Sequence, residues 1–212
     1  NTEVFPDNYF TLSEQEKFEV LENVSGDLDP NVFDNVITRQ TLESIQAVKT
    51  IQVNNGEFGA NRYIISNNES ALNVLETFAL IKLSNWEEAT IDIIPLFESV
   101  DDLQHAHEIM EKLYTNASYA AHLKRRGNKQ TIMLGFSDGT KDGGYLMANW
   151  SIYKAKEALT EISRKYDVQA IFFDGRGGPP ARGGGKTHKF YASLGPQIEN
   201  KEIQITIQGQ TI

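Results

Sequence analysis

The chain opens with two stretches of helical period and then changes rhythm. Phe18, Val20 and Leu21 follow Ser13-Glu14-Gln15-Glu16, a Ser and Glu three apart in the capping-box pattern. Phe33, Val36, Ile37, Leu42 and Ile45 predict a second helix over about 31–49, and Asn54-Asn55-Gly56 breaks the pattern. Beyond that point short β-branched runs alternate with longer amphipathic stretches. The runs are 63–66 (YIIS), 90–98 (TIDIIPLFE), 131–137 (TIMLGFS), 169–174 (QAIFFD) and 203–208 (IQITIQ). Between them one apolar face carries Leu72, Leu75, Ala79 and Leu83, the next Leu103, Ala106, Met110 and Leu113. A third helix is expected over about 144–166.

Strands interleaved with helices pair in parallel through right-handed crossovers, and the near-continuous apolar runs suit strands buried on both faces. The runs end at residues 66, 98, 137, 174 and 208, so successive ends lie 32 to 39 residues apart. Polar residues gather at these C-terminal ends: Ser66-Asn67-Asn68, Glu98, Ser137-Asp138 and Asp174-Gly175-Arg176. A doubly wound sheet concentrates such residues at one switch point, whereas a barrel spreads them around its C-terminal face. A closed barrel needs about 250 residues, and about 150 follow the helical opening here. The expected architecture is α/β, a partial (β/α) TIM-type barrel of four to five βα units over 56–212, preceded by a helical segment over 1–55. A start at Asn1 without initiator Met or signal layout, and an end at Ile212 without a covering helix, add the expectation of a chain that begins in the middle of something longer.

Composition narrows the chemistry. The absence of cysteine excludes disulfides, thiolate metal sites and a cysteine nucleophile. A net charge of −9 argues against nucleic acid as partner, and no apolar run reaches the ~20 residues of a membrane helix.

The candidate residues sit at the strand ends. Glu98 alone reads as a solvated carboxylate. With Asp138 expected at the same level one repeat later, about 4.8 Å away in backbone spacing, the two acids would repel unless a cation lies between them. A hard divalent ion meets that demand, taking one or two carboxylates and filling its shell with water and substrate oxygens. The run 137–144 (SDGTKDGG) reads either as a glycine-rich turn capped by Asp142 or as a loop presenting Lys141 to an anion. Residues 172–188 (FFDGRGGPPARGGGKTH) combine glycines with Arg176, Arg182 and Lys186, which suits backbone and bidentate grips on phosphate or carboxylate. Both nucleotide-loop patterns fail there, because Pro180 occupies a required glycine position in each. His105, His107 and His122 fall on expected helices without metal-ligand spacing.

In these blocks the chain resembles phosphoenolpyruvate carboxylase. Family members typically read YSDSxKDAG where this chain has residues 136–144, and FHGRGGxxGRGGxP where it has 173–186. Pro95-Leu96-Phe97-Glu98, Tyr63-Ile64-Ile65-Ser66 and Ile205-Thr206-Ile207-Gln208-Gly209-Gln210 resemble further family segments. The resemblance implies an enzyme joining phosphoenolpyruvate to bicarbonate with Mg²⁺ or Mn²⁺, yielding oxaloacetate and phosphate. It implies metal binding by Glu98 and Asp138, an active-site role for Lys141, and phosphate and carboxyphosphate binding by Arg176 and Arg182. Asp174 stands where the family has its catalytic histidine; Gly139, Ala181 and Lys186 are lesser departures, and Lys186 could offset the charge of Asp174. A cytoplasmic homo-oligomer, a tetramer in the family, is implied for the parent, with the isolated piece expected to be inactive. A non-catalytic anion-binding half-barrel and another phosphoenolpyruvate-using barrel enzyme are the alternatives.

Overall fold

The computed structural model describes residues 4–175, 185–207 and 210–211. Helix α1 (Glu14–Glu22) begins at the expected capping box: Glu16 N donates to Ser13 Oγ, and Ser13 N donates to the Glu16 carboxylate. Helix α2 (Val36–Asn55) starts five residues later than its apolar pattern suggested. A short 3-10 turn at Pro30–Val32 takes the first of those residues, and Asn35 caps the helix proper. It ends at Gly56, whose φ of 82° stops the helix.

Five parallel strands follow in sequence order: β1 (Arg62–Ile65), β2 (Asp92–Phe97), β3 (Lys129–Leu134), β4 (Gln169–Asp174) and β5 (Ile203–Ile207). A two-residue antiparallel strand, β6 (Gln210–Thr211), adds to the edge of β5. Because each of these strands lies beside its predecessor, the sheet never reverses its order and has no switch point. It is a singly wound partial barrel, as the spacing predicted. The crossovers are α3 (Ala71–Lys82), α4 (Val100–Thr115) with α5 (Ala117–Arg125), and α6 (Phe136–Lys165). A last short helix, α7 (Thr187–Ala192), precedes β5. The α5 helix was not foreseen; Asn116, which ends α4, accepts from Tyr119 N and so starts α5 with no linker.

Side chains alternate across the sheet, and the register shows which way each points. Phe97 pairs with Leu134, and Leu134 with Asp174. Phe97, Leu134, Ile132 and Phe172 all belong to the core between strands and helices, which also takes in Leu159 of α6. Leu21, Val24 and Ile45 of the helical opening share this core with Val74 and Phe78 of α3. Residues one step along, such as Ile94, Ile171 and Phe173, are buried outside that cluster, on the opposite face.

Two sequence expectations change here. The third helix starts at Phe136, not near 144, and residues 137–143 are helical rather than an open turn. The chain kinks at Gly144, where φ is 77° and ψ 171°, a conformation open to glycine and awkward for other residues. In addition, β3 ends at Leu134, so Asp138 is not at a strand end level with Glu98. It lies in the first helical turn above it.

Candidate functional site

Glu98 is the first residue beyond β2, one step past Phe97 and therefore on the face opposite the helices. Its carboxylate is half-buried, and Oε2 accepts a hydrogen bond from Asn67 N at 3.1 Å. Asn67 follows β1 and holds a left-handed φ of 51°, which aims its N–H across to the neighbouring strand end. The next residue, Asn68, is 1% exposed, and neither polar atom of its side chain finds a partner among the described residues. A buried amide left open at the rim of the barrel is unusual, since nearly all such groups are satisfied.

Across from Glu98 the chain passes very close. Gly135 N donates to Phe97 O at 2.8 Å, and a Cβ at position 135 would lie 3.1 Å from Glu98 Cα and 3.3 Å from its Cγ. Glycine lets β3 hand over to α6 in direct contact with Glu98. Asp138 then falls in the first turn of α6, where the helix N-terminus favours its negative charge. Lys141, one turn on, places Nζ 2.6 Å from Asp138 Oδ1; both side chains are well exposed, at 77% and 48%. Among the described residues no cluster of three or more His, Cys, Asp or Glu side chains could hold a metal. Glu98 and Asp138 are hard-oxygen donors of the type Mg²⁺ takes, one or two to an ion.

Asp174 behaves differently. The register that pairs it with Leu134 puts its side chain on the helix side of the sheet. There Oδ2 lies 2.7 Å from Lys156 Nζ of α6 and accepts a hydrogen bond from Tyr191 OH of α7 at 2.6 Å. The ion pair is 2% and 3% exposed. Lys156 Nζ also stands 5.5 Å from the Phe172 ring and 5.6 Å from that of Tyr191. Burial, and then the Asp174 carboxylate, push the Tyr191 hydroxyl well above the ordinary phenol range, so it is held as a donor. Lys186, the residue expected to balance Asp174, is exposed at the start of α7; Lys156 is the partner instead.

The structure thus groups Glu98, Asp138 and Lys141 on one stretch of rim and turns Asp174 away from it. Arg176 and Arg182 lie outside the described residues. Lys156 and Tyr191 were missed, and Asn67 and Asn68 stood out only as polar residues at a strand end. For Lys156 a signal existed: it interrupts the apolar face of α6 between Ile152 and Leu159, where a charge needs a buried partner. Tyr191 carried none.

Among the histidines, His105 and His107 lie on α4 and His122 on α5. His122 is packed against Phe78 and Tyr119 with ring centroids at 4.9 Å and 6.0 Å. Burial, followed by the nearby Arg125 and Arg126, lowers its pKa from 6.5 to about 4, against a hydrogen bond with the Ile91 backbone. It is a neutral core residue. Among the described residues no helix is long and apolar enough to cross a membrane.

The family model described as phosphoenolpyruvate carboxylase matches residues 2–212. A phosphoenolpyruvate carboxylase of Nitrosomonas eutropha is 37% identical over 182 residues, which is 83% of this chain and 20% of that protein. One from Rhodothermus marinus is 34% identical over 224 aligned residues, covering 97% of this chain and 24% of its own length. The chain spans about a fifth to a quarter of the length of the curated relatives it matches.

Proposed function

The chain belongs to the phosphoenolpyruvate carboxylase family, and on that premise we propose that it forms the metal- and phosphate-binding rim of an enzyme that carboxylates phosphoenolpyruvate with bicarbonate. The observation that carries this reading is the meeting of Glu98 with the β3–α6 junction, which brings a second carboxylate, Asp138, and a cation, Lys141, to the same rim. Glu98 and Asp138 would hold Mg²⁺ or Mn²⁺. When bound, such an ion supplies charge stabilisation for an enolate oxygen. Lys141 is exposed, and its ion pair with Asp138 is a surface one that a substrate anion can replace at little loss. Arg176 and Arg182 are assigned to the phosphate and carboxyphosphate groups, since a planar guanidinium grips such anions with two bonds. Holding two anionic reactants side by side is chiefly a problem of positioning and charge, which these residue types address.

Asp174 receives a different role from the one its place in the family motif suggests. Its carboxylate is buried, satisfied twice and directed at α6, so it anchors the end of β4 rather than exchanging protons with a substrate. The parent is read as a cytoplasmic homo-oligomer, and these 212 residues alone are expected not to turn over.

The test is a coupled assay for oxaloacetate on the full-length protein. Formation that requires phosphoenolpyruvate, bicarbonate and a divalent cation, and that falls to near background in Arg182→Ala, is the expected result. No bicarbonate-dependent product, or near-normal kcat/KM in Arg182→Ala, contradicts the reading. The non-catalytic half-barrel alternative predicts the first of those failures.

A further inference from the structure

A buried polar cluster lies off the proposed rim. Asp174, Lys156 and Tyr191 come from three elements, β4, α6 and α7, and meet in the layer between sheet and helices. The sheet neighbours of Asp174 on either side, Leu134 and Ile205, bring no charge to it. The titratable groups that face it among the described residues are therefore Lys156 from α6 and Tyr191 from α7. Behind Lys156 a mainly apolar cleft of about 340 Å³ between α6 and α7 is lined by Ile152, Trp150, Phe190 and Leu194, with Asn149 and Ser193 among its polar residues.

Taking two charges out of water is expensive, and the mutual attraction offsets that expense only when geometry is good and the remaining lone pairs are satisfied. Here the geometry is good: the ion pair is 2.7 Å long, and the same carboxylate oxygen also accepts from Tyr191 at 2.6 Å. Buried pairs of this kind are poor stabilisers compared with apolar packing, but removal of one partner is severe. They specify an arrangement. The arrangement specified here is the position of the last residue of β4, and with it Gly175, the residue level with Glu98 on the rim side of the sheet.

We propose that Lys156 and Tyr191 are positioning residues for the carboxylase site, acting through Asp174, which they lock as a neutralised anchor between the end of β4 and helices α6 and α7. Lys156 supplies the compensating charge, and Tyr191 joins the chain on the far side of the residue 176–184 segment to the strand on its near side, 17 residues apart. The kinetic part of this inference rests on the carboxylase reading, whereas its structural part does not.

The experiment compares full-length wild type with Lys156→Met, Tyr191→Phe, and the double variant Lys156→Met/Asp174→Leu, measuring kcat, KM and thermal midpoint from pH 5.5 to 8.5. In Lys156→Met the carboxylate, left buried without its cation, is driven to bind a proton. Stability gained from the protonated acid is present at low pH and lost as pH rises. The midpoint should therefore fall with pH more steeply than in wild type, and kcat/KM should drop by up to about 100-fold at the alkaline end, chiefly in kcat. Tyr191→Phe should lower kcat by a smaller factor. The double variant should recover the midpoint and lose the extra pH dependence, because no charge remains to be buried. If Lys156→Met does not fold, folding of the double variant supports the lock and its failure to fold overturns it. A pH profile and midpoint like wild type in Lys156→Met, or a double variant with the same pH dependence as the single one, also overturns it. Should the wild type make no oxaloacetate, the carboxylase reading fails, while the midpoint against pH still decides whether the lock exists.

Discussion

Two of the acids near the barrel rim, Asp138 and Asp174, each pair with a lysine, and the pairs could hardly differ more. Lys141 and Asp138 sit 2.6 Å apart on the surface, one helical turn from each other on the same element. Lys156 and Asp174 sit 2.7 Å apart in the interior and join two elements. Near-identical distances have unlike consequences because solvent screens the first pair and is absent from the second. An exposed pair is a loose, exchangeable arrangement that leaves both charges available to a ligand. A buried pair commits both charges to the fold. The face of the pleat decides which kind forms: Glu98 is one residue past the Phe97–Leu134–Asp174 register and faces the rim, while Asp174 is in that register and faces the helices.

The contrast can be broken by experiment. Lys156→Met should destabilise the protein by about 3–5 kcal/mol near neutral pH, as expected for a buried charge deprived of its partner, read from chemical denaturation. A loss under 1 kcal/mol would erase the distinction between the pairs. Next in size, Glu98→Gln should reduce kcat/KM by about 100- to 1000-fold with little change in denaturation midpoint, the behaviour of a half-exposed ligand rather than an anchor. Loss of folding in that variant would make Glu98 structural.

His122 provides an internal control on burial without a counter-charge. Its folded-state pKa of about 4 lies below the unfolded 6.5, so the stability it contributes is whole above about 6.5 and is lost as pH falls through about 4. The difference amounts to about 3 kcal/mol at full protonation. His122→Phe should flatten the stability curve across that window relative to wild type, and an unchanged slope would show the ring to be solvated. Smallest of all, Lys141→Met should alter stability by less than about 1 kcal/mol, whatever it does to turnover. A larger loss would mean that the Asp138 pair belongs to the fold.

The sequence revealed architecture better than register. The apolar run QAIFFD coincides with β4 (Gln169–Asp174), and the break at Asn54-Asn55-Gly56 coincides with the end of α2, because both signals are local: buried β-branched and aromatic side chains in one case, a left-handed glycine in the other. What it misplaced depends on which residues become neighbours. Glu98, Asp138 and Asp174 all looked like residues at one level, but β3 hands over to α6 at Gly135, lifting Asp138 into a helical turn, and a one-residue offset reverses the face of Asp174. Motif spacing is indifferent to such offsets. The charge balance for Asp174 was sought nearby in sequence, at Lys186, and lies 18 residues upstream at Lys156, on a helix whose apolar face already contained the clue.

The most direct measurement is a Mg²⁺ titration of oxaloacetate production by full-length wild type and by Asp138→Asn. If Glu98 and Asp138 hold the metal, the variant needs far more Mg²⁺ for half-maximal rate, or loses the rate altogether, while its metal-free thermal midpoint stays close to wild type. An Asp138→Asn protein with the wild-type Mg²⁺ dependence and rate would contradict the assignment of this rim as the metal site.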